Sequence, residues 1–133
     1  MVWDALVKGD VDTAVAYFAE QFRFIDHALD LDFRDKTKLA GFFQKERELY
    51  PDGRRTPEGV FIGNDWVVSK WTLRTTVTQP WFGGASRKVQ VALPGISIVE
   101  LAQGRIISWE DYYDSSRSRS SALADHFTDW IEL

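Results

Sequence analysis

Apolar residues recur at helical spacing as far as Pro51 and at every second position beyond it. Val2 to Lys8 reads as a short helix stopped by Gly9. Asp10 follows as an N-cap, because its carboxylate can accept from the open amides of the next turn. Val11, Ala14, Val15, Phe18, Ala19 and Phe22 then form the buried stripe of an amphipathic helix. From Phe22 to His27 the period shortens to two, with Phe22, Phe24 and Asp26 on one face and Arg23, Ile25 and His27 on the other. Leu29 to Phe33 makes a small hairpin arm. Asp35 opens a further helix, with Leu39, Phe42, Phe43, Leu49 and Tyr50 on one side, and Pro51 ends it.

Strands follow. Arg55 to Ile62 is the first, turned at Gly63-Asn64-Asp65 into the long β-branched and aromatic run Trp66 to Thr78. Gln79 to Gly84 is a loop. Val89 to Leu101 is the next strand, with a bulge or bend expected at Pro94-Gly95, since proline lacks the ladder donor. Gln103-Gly104 turns the chain into Arg105 to Asp114. Ser115 to Ser121 is a connection, and Ser120 or Ser121 caps a closing helix with Leu123, Phe127, Trp130 and Ile131 buried. Helices first, an antiparallel meander next and a helix last predict an α+β fold in a single domain, 1–133.

Composition narrows the chemistry. The chain has 133 residues and a net charge of −4, with 44% hydrophobic and 14% aromatic residues, so it can bury a core of its own. Its pI near 5.1 argues against nucleic acid or an anionic membrane as partner. With no cysteine there is no disulfide, thiolate site or cysteine nucleophile. The two histidines lie at no metal-ligand spacing, so no metal is expected. Neither G-x-G-x-x-G nor a P-loop occurs, and no cofactor is expected. Without a signal segment or an apolar run long enough to span a bilayer, the chain reads as cytoplasmic.

Three segments carry a resemblance: Gly9-Asp10-Val11-Asp12-Thr13-Ala14, Phe24-Ile25-Asp26-His27, and Gly104-Arg105-Ile106-Ile107-Ser108-Trp109-Glu110-Asp111-Tyr112-Tyr113-Asp114. Together they make the chain, from Trp3 to Trp130, resemble the nuclear transport factor 2-like superfamily in its SnoaL-like and limonene-epoxide-hydrolase-like branch. The resemblance implies a cone-shaped, strongly curved antiparallel sheet, with N-terminal helices enclosing a pocket and a C-terminal helix. It also implies a homodimer through the convex face, where the alternation puts Trp66 and Val68 opposite Trp71 and Leu73. Enzymes of the branch open epoxides, close polyketide rings or shift double bonds, using carboxyl groups whose pKa burial raises toward working pH.

Carried across residue by residue, the resemblance makes Asp111 the proton donor on the last strand, on one face with Ile107, Trp109 and Tyr113. Asp26 matches the general base of ketosteroid isomerases and a water-holding asparagine of epoxide hydrolases. Phe24 stands where the hydrolases have a tyrosine. Their Glu-Arg-x-Asp run is here Lys70-Trp71-Thr72-Leu73, so the arginine becomes Trp71 and the water-activating aspartate becomes Leu73. A limonene-type hydrolase mechanism is therefore not expected. Phe24, Trp71, Leu73, Trp109 and Tyr113 read as pocket wall. Tyr17 is a candidate because relatives use helix tyrosines as pocket donors. His27 joins the pocket only if its strand kinks, and Arg54 and Arg55 read as solvated.

Two functions fit. One is a small cofactor-free enzyme in which Asp26 and Asp111 transfer protons on an apolar polyketide- or terpenoid-like molecule, as an isomerase, cyclase or dehydratase. The other is a non-catalytic small-molecule-binding or dimerisation module on the same fold. Whether both aspartates face one cavity discriminates them.

Overall fold

A computed structural model describes residues 2–80 and 86–114. Three helices, α1 (Val2–Val7), α2 (Val11–Ala16) and α3 (Lys36–Leu49), accompany six strands. The strands are β1 (Phe18–Asp26), β2 (Leu31–Phe33), β3 (Arg54–Ile62), β4 (Trp66–Pro80), β5 (Ser86–Ala102) and β6 (Arg105–Tyr113). They form one curved sheet in the order β2-β1-β6-β5-β4-β3. Asp10 and Asp35 cap α2 and α3, each accepting at 3.0 Å from the amide three residues on. The mixed α+β architecture expected from the sequence is the one found.

Three details differ from the sequence reading. The sheet is not wholly antiparallel, because β1 and β6 pair in parallel. The chain between β2 and β3 runs through α3, a crossover that starts β3 in the direction of β2, and three reversals later β6 lies alongside β1 in the same sense. The second helix stops at Ala16, and Phe18 already belongs to β1. Phe18 and Phe22 are four residues apart, a spacing that suits a helix turn and two strand repeats equally; the slip in register between Phe18 and Arg23 absorbs the mismatch. Pro94-Gly95 makes no bulge against β4, whose register with β5 is unbroken. Pairing with β6 ends at Gly95, so the amide that Pro94 lacks removes no β6 bond. Gly95 faces Trp71 directly, and a Cβ there would overlap the indole.

The helices and the inner face of the sheet share one core, centred on Phe18, Phe24, Leu39, Phe42, Phe43 and Trp109. Phe24 touches the four other rings of this set and Phe33 at its edge, with centroids 5.8–6.3 Å apart. Ile106 rather than Ile107 joins it, because β6 shifts register against β5 between Glu100 and Leu101. The outer face leaves Trp66, Ile96 and Tyr112 exposed, and Phe61 and Ile62 near the end of β3 also. The expected closing helix and most of the loop after β4 lie outside the described residues. Among the described residues no helix is long and apolar enough to cross a membrane.

One feature of the inner face is polar. Ser69, Ser97, Asp111 and Asp26 stand in register on β4, β5, β6 and β1, and all four are buried. A buried polar row across four strands costs stability unless its members find partners. The candidate site is built on it.

Candidate functional site

β1 delivers Asp26 to its last position, and the chain then turns back into β2. The carboxylate makes that turn, accepting from the Leu29 amide at 2.9 Å through Oδ1. Its other oxygen accepts from the Tyr113 hydroxyl at 2.7 Å, across the β1–β6 seam. Asp26 is 2% exposed, yet it lines a pocket of about 960 Å³ counting its open mouth. The opposite walls come from Phe42, Phe43 and Glu46 of α3 and from Trp71 and Leu73 of β4. Burial, and after it the charge of Asp111, pushes the Asp26 carboxyl up to about 7, against the opposing pull of Tyr113, Leu29 and Arg55. Burial and the neighbouring Asp26 hold the Tyr113 phenol far above its ordinary range, so its proton stays on oxygen.

Asp111 sits beside Asp26 in the register and has a different environment. It is fully buried and does not line the pocket. Oδ1 accepts from Ser97 Oγ at 2.5 Å and from the Trp109 indole N–H at 2.7 Å, and Oδ2 accepts from Arg55 Nη1 at 3.0 Å. The indole and the guanidinium can only donate, so this environment is built for the anion. Ser97 is in turn held by the Trp71 indole N–H at 2.8 Å. The expectation of an apolar surround and a pocket-facing acid at Asp111 is thus corrected: three donors occupy the carboxylate, and it does not reach the pocket.

Arg55 overturns a second expectation. It is not solvated; its side chain is 13% exposed and lines the pocket. Its guanidinium lies over the Trp71 ring, 4.5 Å from the centroid. Burial works against its charge, but Asp111 and Glu46 more than offset that and raise its pKa. A guanidinium is therefore brought to the pocket by β3, stacked on the Trp71 of β4. Strand parity carried a signal for it: Arg55 pairs with Leu73, an inner-face position, whereas Arg54 pairs with Arg74.

Glu46 and Tyr50 complete the polar side. Glu46 lies on α3, and its carbonyl accepts from the Tyr50 amide at 2.9 Å where the helix ends. Burial raises the Glu46 carboxyl above its usual range; Arg55 opposes the shift and Asp111 adds to it. Burial and then Glu46 raise the Tyr50 phenol. Neither residue was singled out in the sequence, where Glu46 is one charge among several on a helix and Tyr50 one apolar position of its stripe.

Of the residues singled out from the sequence, Phe24, Asp26, Trp71, Leu73, Trp109 and Tyr113 meet around the pocket. Tyr17 does not: it caps α2, is 41% exposed, and its carbonyl accepts from the Ile106 amide. His27 does not either, because β1 keeps its alternation to the end. Its ring stacks on Tyr112 at 4.2 Å and its Nε2 lies 3.0 Å from Glu110 on the outer side. Among the described residues no cluster of three histidine, aspartate or glutamate side chains could hold a metal.

Comparison with known proteins gives the same frame. The family model of the SnoaL-like domain matches residues 1–109. No curated protein sequence matches the chain. Among solved structures, a protein with a ketosteroid isomerase-like fold from Catenulispora acidiphila, in complex with trimethylamine, superposes with a TM-score of 0.75 at 19% identity, covering 92% of this chain and 91% of its own. A protein assigned as a SnoaL-like polyketide cyclase from Shewanella putrefaciens superposes at 0.74 with 16% identity, over 96% and 81%. Another with that assignment, from a Jannaschia species, superposes at 0.71 with 22% identity, over 85% and 80%. At such identities the likeness is one of fold.

Proposed function

This chain belongs to the SnoaL-like domain family, and from that premise we propose that it is a cofactor-free proton-transfer enzyme whose general base is Asp26. Its substrate is an apolar, polyketide- or terpenoid-like molecule with an acidic C–H, and the reaction is of the isomerase, cyclase or dehydratase type. The observation that carries the reading is the setting of Asp26: a carboxyl at a pocket wall, 2% exposed and raised to about 7, with the Tyr113 hydroxyl 2.7 Å away. A base titrating near neutrality combines availability with proton affinity. Tyr113 and the Leu29 amide fix the carboxylate, so the oxygen nearest the substrate is positioned before binding.

Asp111 has a supporting task in this reading. Through Arg55 it fixes a guanidinium beside the pocket, and through Ser97 it fixes Trp71, so the pair shapes the wall on which the substrate lies. Phe24, Phe42, Phe43 and Trp109 give the other wall an aromatic lining suited to a flat, apolar ring system.

The test uses 5-nitrobenzisoxazole, a general probe whose ring opens when a base takes its carbon-bound proton. The parent protein is expected to open it faster than the same concentration of acetate, with a rate that rises through a midpoint near pH 7. Asp26→Asn should lower that rate by about 10²–10⁴-fold. A parent with no acceleration, or an Asn variant that keeps it, overturns the assignment and leaves the binding module as the function of this fold.

A further inference from the structure

The pocket contains a second carboxyl whose situation is the inverse of that of Asp26. Asp26 projects from the sheet and its two oxygens each accept a hydrogen bond, which partly offsets the cost of charging it. Glu46 projects from α3, on the helical side of the same pocket, and is half-buried. Among the described residues no group donates a hydrogen bond to its carboxyl. A carboxyl partly withdrawn from water with no donor to hold its anion binds its proton more tightly than an exposed one, and in the protonated form it can donate.

The neighbours of Glu46 point the same way. The charged and titratable groups facing it are Arg55 from β3, Asp111 from β6 and Tyr50 at the end of its own helix. Arg55 is ion-paired with Asp111 at 3.0 Å, so the one buried guanidinium beside Glu46 already balances a fully buried carboxylate. Arg47, also at the pocket rim, is next to Glu46 in sequence, and adjacent residues on a helix do not face each other. The other hydroxyl near the base, Tyr113, has its proton directed at Asp26. Glu46 is thus the pocket-lining carboxyl of the helical layer, as Asp26 is that of the sheet.

We propose that Glu46 is a second catalytic residue of this site, the one that protonates the substrate's oxygen while Asp26 removes a proton from its carbon. The proposal rests on the general-base reading of Asp26 and specifies its substrate class: neutral compounds in which an acidic C–H and a carbonyl oxygen span the gap between β1 and α3. In the forward step the C–H bond breaks and its proton goes to Asp26. The electron pair forms a C=C bond, the carbonyl π pair moves to oxygen, and that oxygen takes the Glu46 proton, giving a neutral enol. Where the substrate carries a C=C bond next to the deprotonated carbon, the O–H pair re-forms the carbonyl as its proton returns to Glu46, the enol C=C shifts one bond along, and the pair of the original C=C takes the Asp26 proton at its far carbon, an isomerisation that consumes no oxidant, reductant or co-reactant.

The two carboxyls separate experimentally through the leaving oxygen. In benzisoxazole opening, the C–H proton goes to the base, the pair forms the nitrile, the N–O bond breaks and the oxygen leaves with its electrons. A nitro group stabilises that oxygen; without it, the oxygen depends on a proton donor. Benzisoxazole and 5-nitrobenzisoxazole are therefore compared on the parent, Glu46→Gln, Glu46→Asp and Asp26→Asn. Glu46→Gln is expected to widen the rate ratio of nitro to unsubstituted substrate by about tenfold or more, with Glu46→Asp narrowing it again, since Asp keeps the proton at shorter reach. Asp26→Asn should slow both substrates alike. An unchanged ratio in Glu46→Gln, with the Asp26→Asn loss intact, overturns the Glu46 assignment alone; turnover retained in Asp26→Asn overturns the general-base reading. A second measurement needs no turnover. In parent protein with ¹³C-labelled glutamate carboxyls, the Glu46 resonance, assigned by its disappearance in Glu46→Gln or Glu46→Asp, should still sit at the protonated position at a pH where the exposed glutamates are half-ionised. An ionised shift there overturns the proposal however the variants behave.

Discussion

Asp26 and Asp111 are cross-strand neighbours on the same face of the same sheet, and both are almost completely buried. What separates them is their donors. Asp111 receives an indole, a hydroxyl and a guanidinium; Asp26 receives one hydroxyl and one amide, and feels the Asp111 and Arg55 charges without bonding either. One carboxylate is thereby part of the scaffold, and the other is raised to about 7 at a pocket wall. Burial alone does not make a reactive carboxyl. Burial with too few donors does, and here the surplus of donors next door keeps the arrangement folded.

The largest expected effect tests the scaffold side of this contrast. Asp111→Asn leaves the Arg55 guanidinium buried without its counter-charge and turns an amide N–H toward donors, which should cost about 3–5 kcal/mol in urea unfolding. Arg55→Met should cost a similar amount by stranding Asp111. The double variant Arg55→Met with Asp111→Leu should recover part of the loss, because removing both charges is far cheaper than removing one. If Asp111→Asn unfolds at the parent's urea midpoint, the carboxylate does not support the scaffold and the contrast is broken.

How much of this was legible follows from the physics of each segment. The meander was legible because β-branched and aromatic alternation in Trp66 to Thr78 has one reading. The start of β1 was not, because Phe18 and Phe22 satisfy both periods. The pocket wall was legible through the parity of Phe24 with Asp26 and of Trp109 with Tyr113. Parity also allied Asp111 with the pocket, and there it misled. Parity gives the face of a strand, whereas whether a carboxyl on that face is left open to the pocket depends on which side chain reaches it from another strand. That side chain is Arg55, distant in sequence by most of the meander, and only the pairing of β3 with β4 brings it over Trp71. Glu46 was hidden for a related reason: a helix face reveals its apolar stripe, and a single carboxyl at its edge has no pattern of its own.

The next effect has the opposite sign. A carboxyl whose folded pKa lies above its unfolded one loses stability as pH rises through the interval between them. For Asp26 that interval runs from about 4 in the unfolded chain to about 7 in the folded one. Asn cannot titrate, can still accept from the Leu29 amide through oxygen, and can donate to the Tyr113 oxygen. Relative to the parent, Asp26→Asn should therefore gain stability steadily from pH 4 to pH 7, by on the order of 2–4 kcal/mol, and hold that gain above it. Parallel urea titrations at several pH values read it directly. A constant difference across the interval would mean that Asp26 titrates alike in folded and unfolded chains, and it would be no more reactive than a surface carboxylate.

The smallest effect gives the sharpest form of the comparison, because the outer face of the same two strands carries a second pair at the same spacing. His27 and Glu110 are the immediate neighbours of Asp26 and Asp111 and point the other way. Their Nε2–Oε1 distance is 3.0 Å, as is Arg55 Nη1 to Asp111 Oδ2, but their side chains are 39% and 29% exposed against 13% and 0%. Equal distances in unequal surroundings isolate the effect of the medium. Water screens the outer pair and solvates either partner when the other is removed, so nothing is stranded. His27→Ala and Glu110→Ala should each change stability by less than about 1 kcal/mol, His27 losing also its stacking on Tyr112. A double-mutant cycle should give the outer pair a coupling of about 0.2–1 kcal/mol that fades at about 0.5 M salt, with the inner pair several-fold stronger and little changed by salt. Equal couplings would show that the inner pair is as well solvated as the outer one, and the low-dielectric wall on which the raised carboxyls depend would not be there.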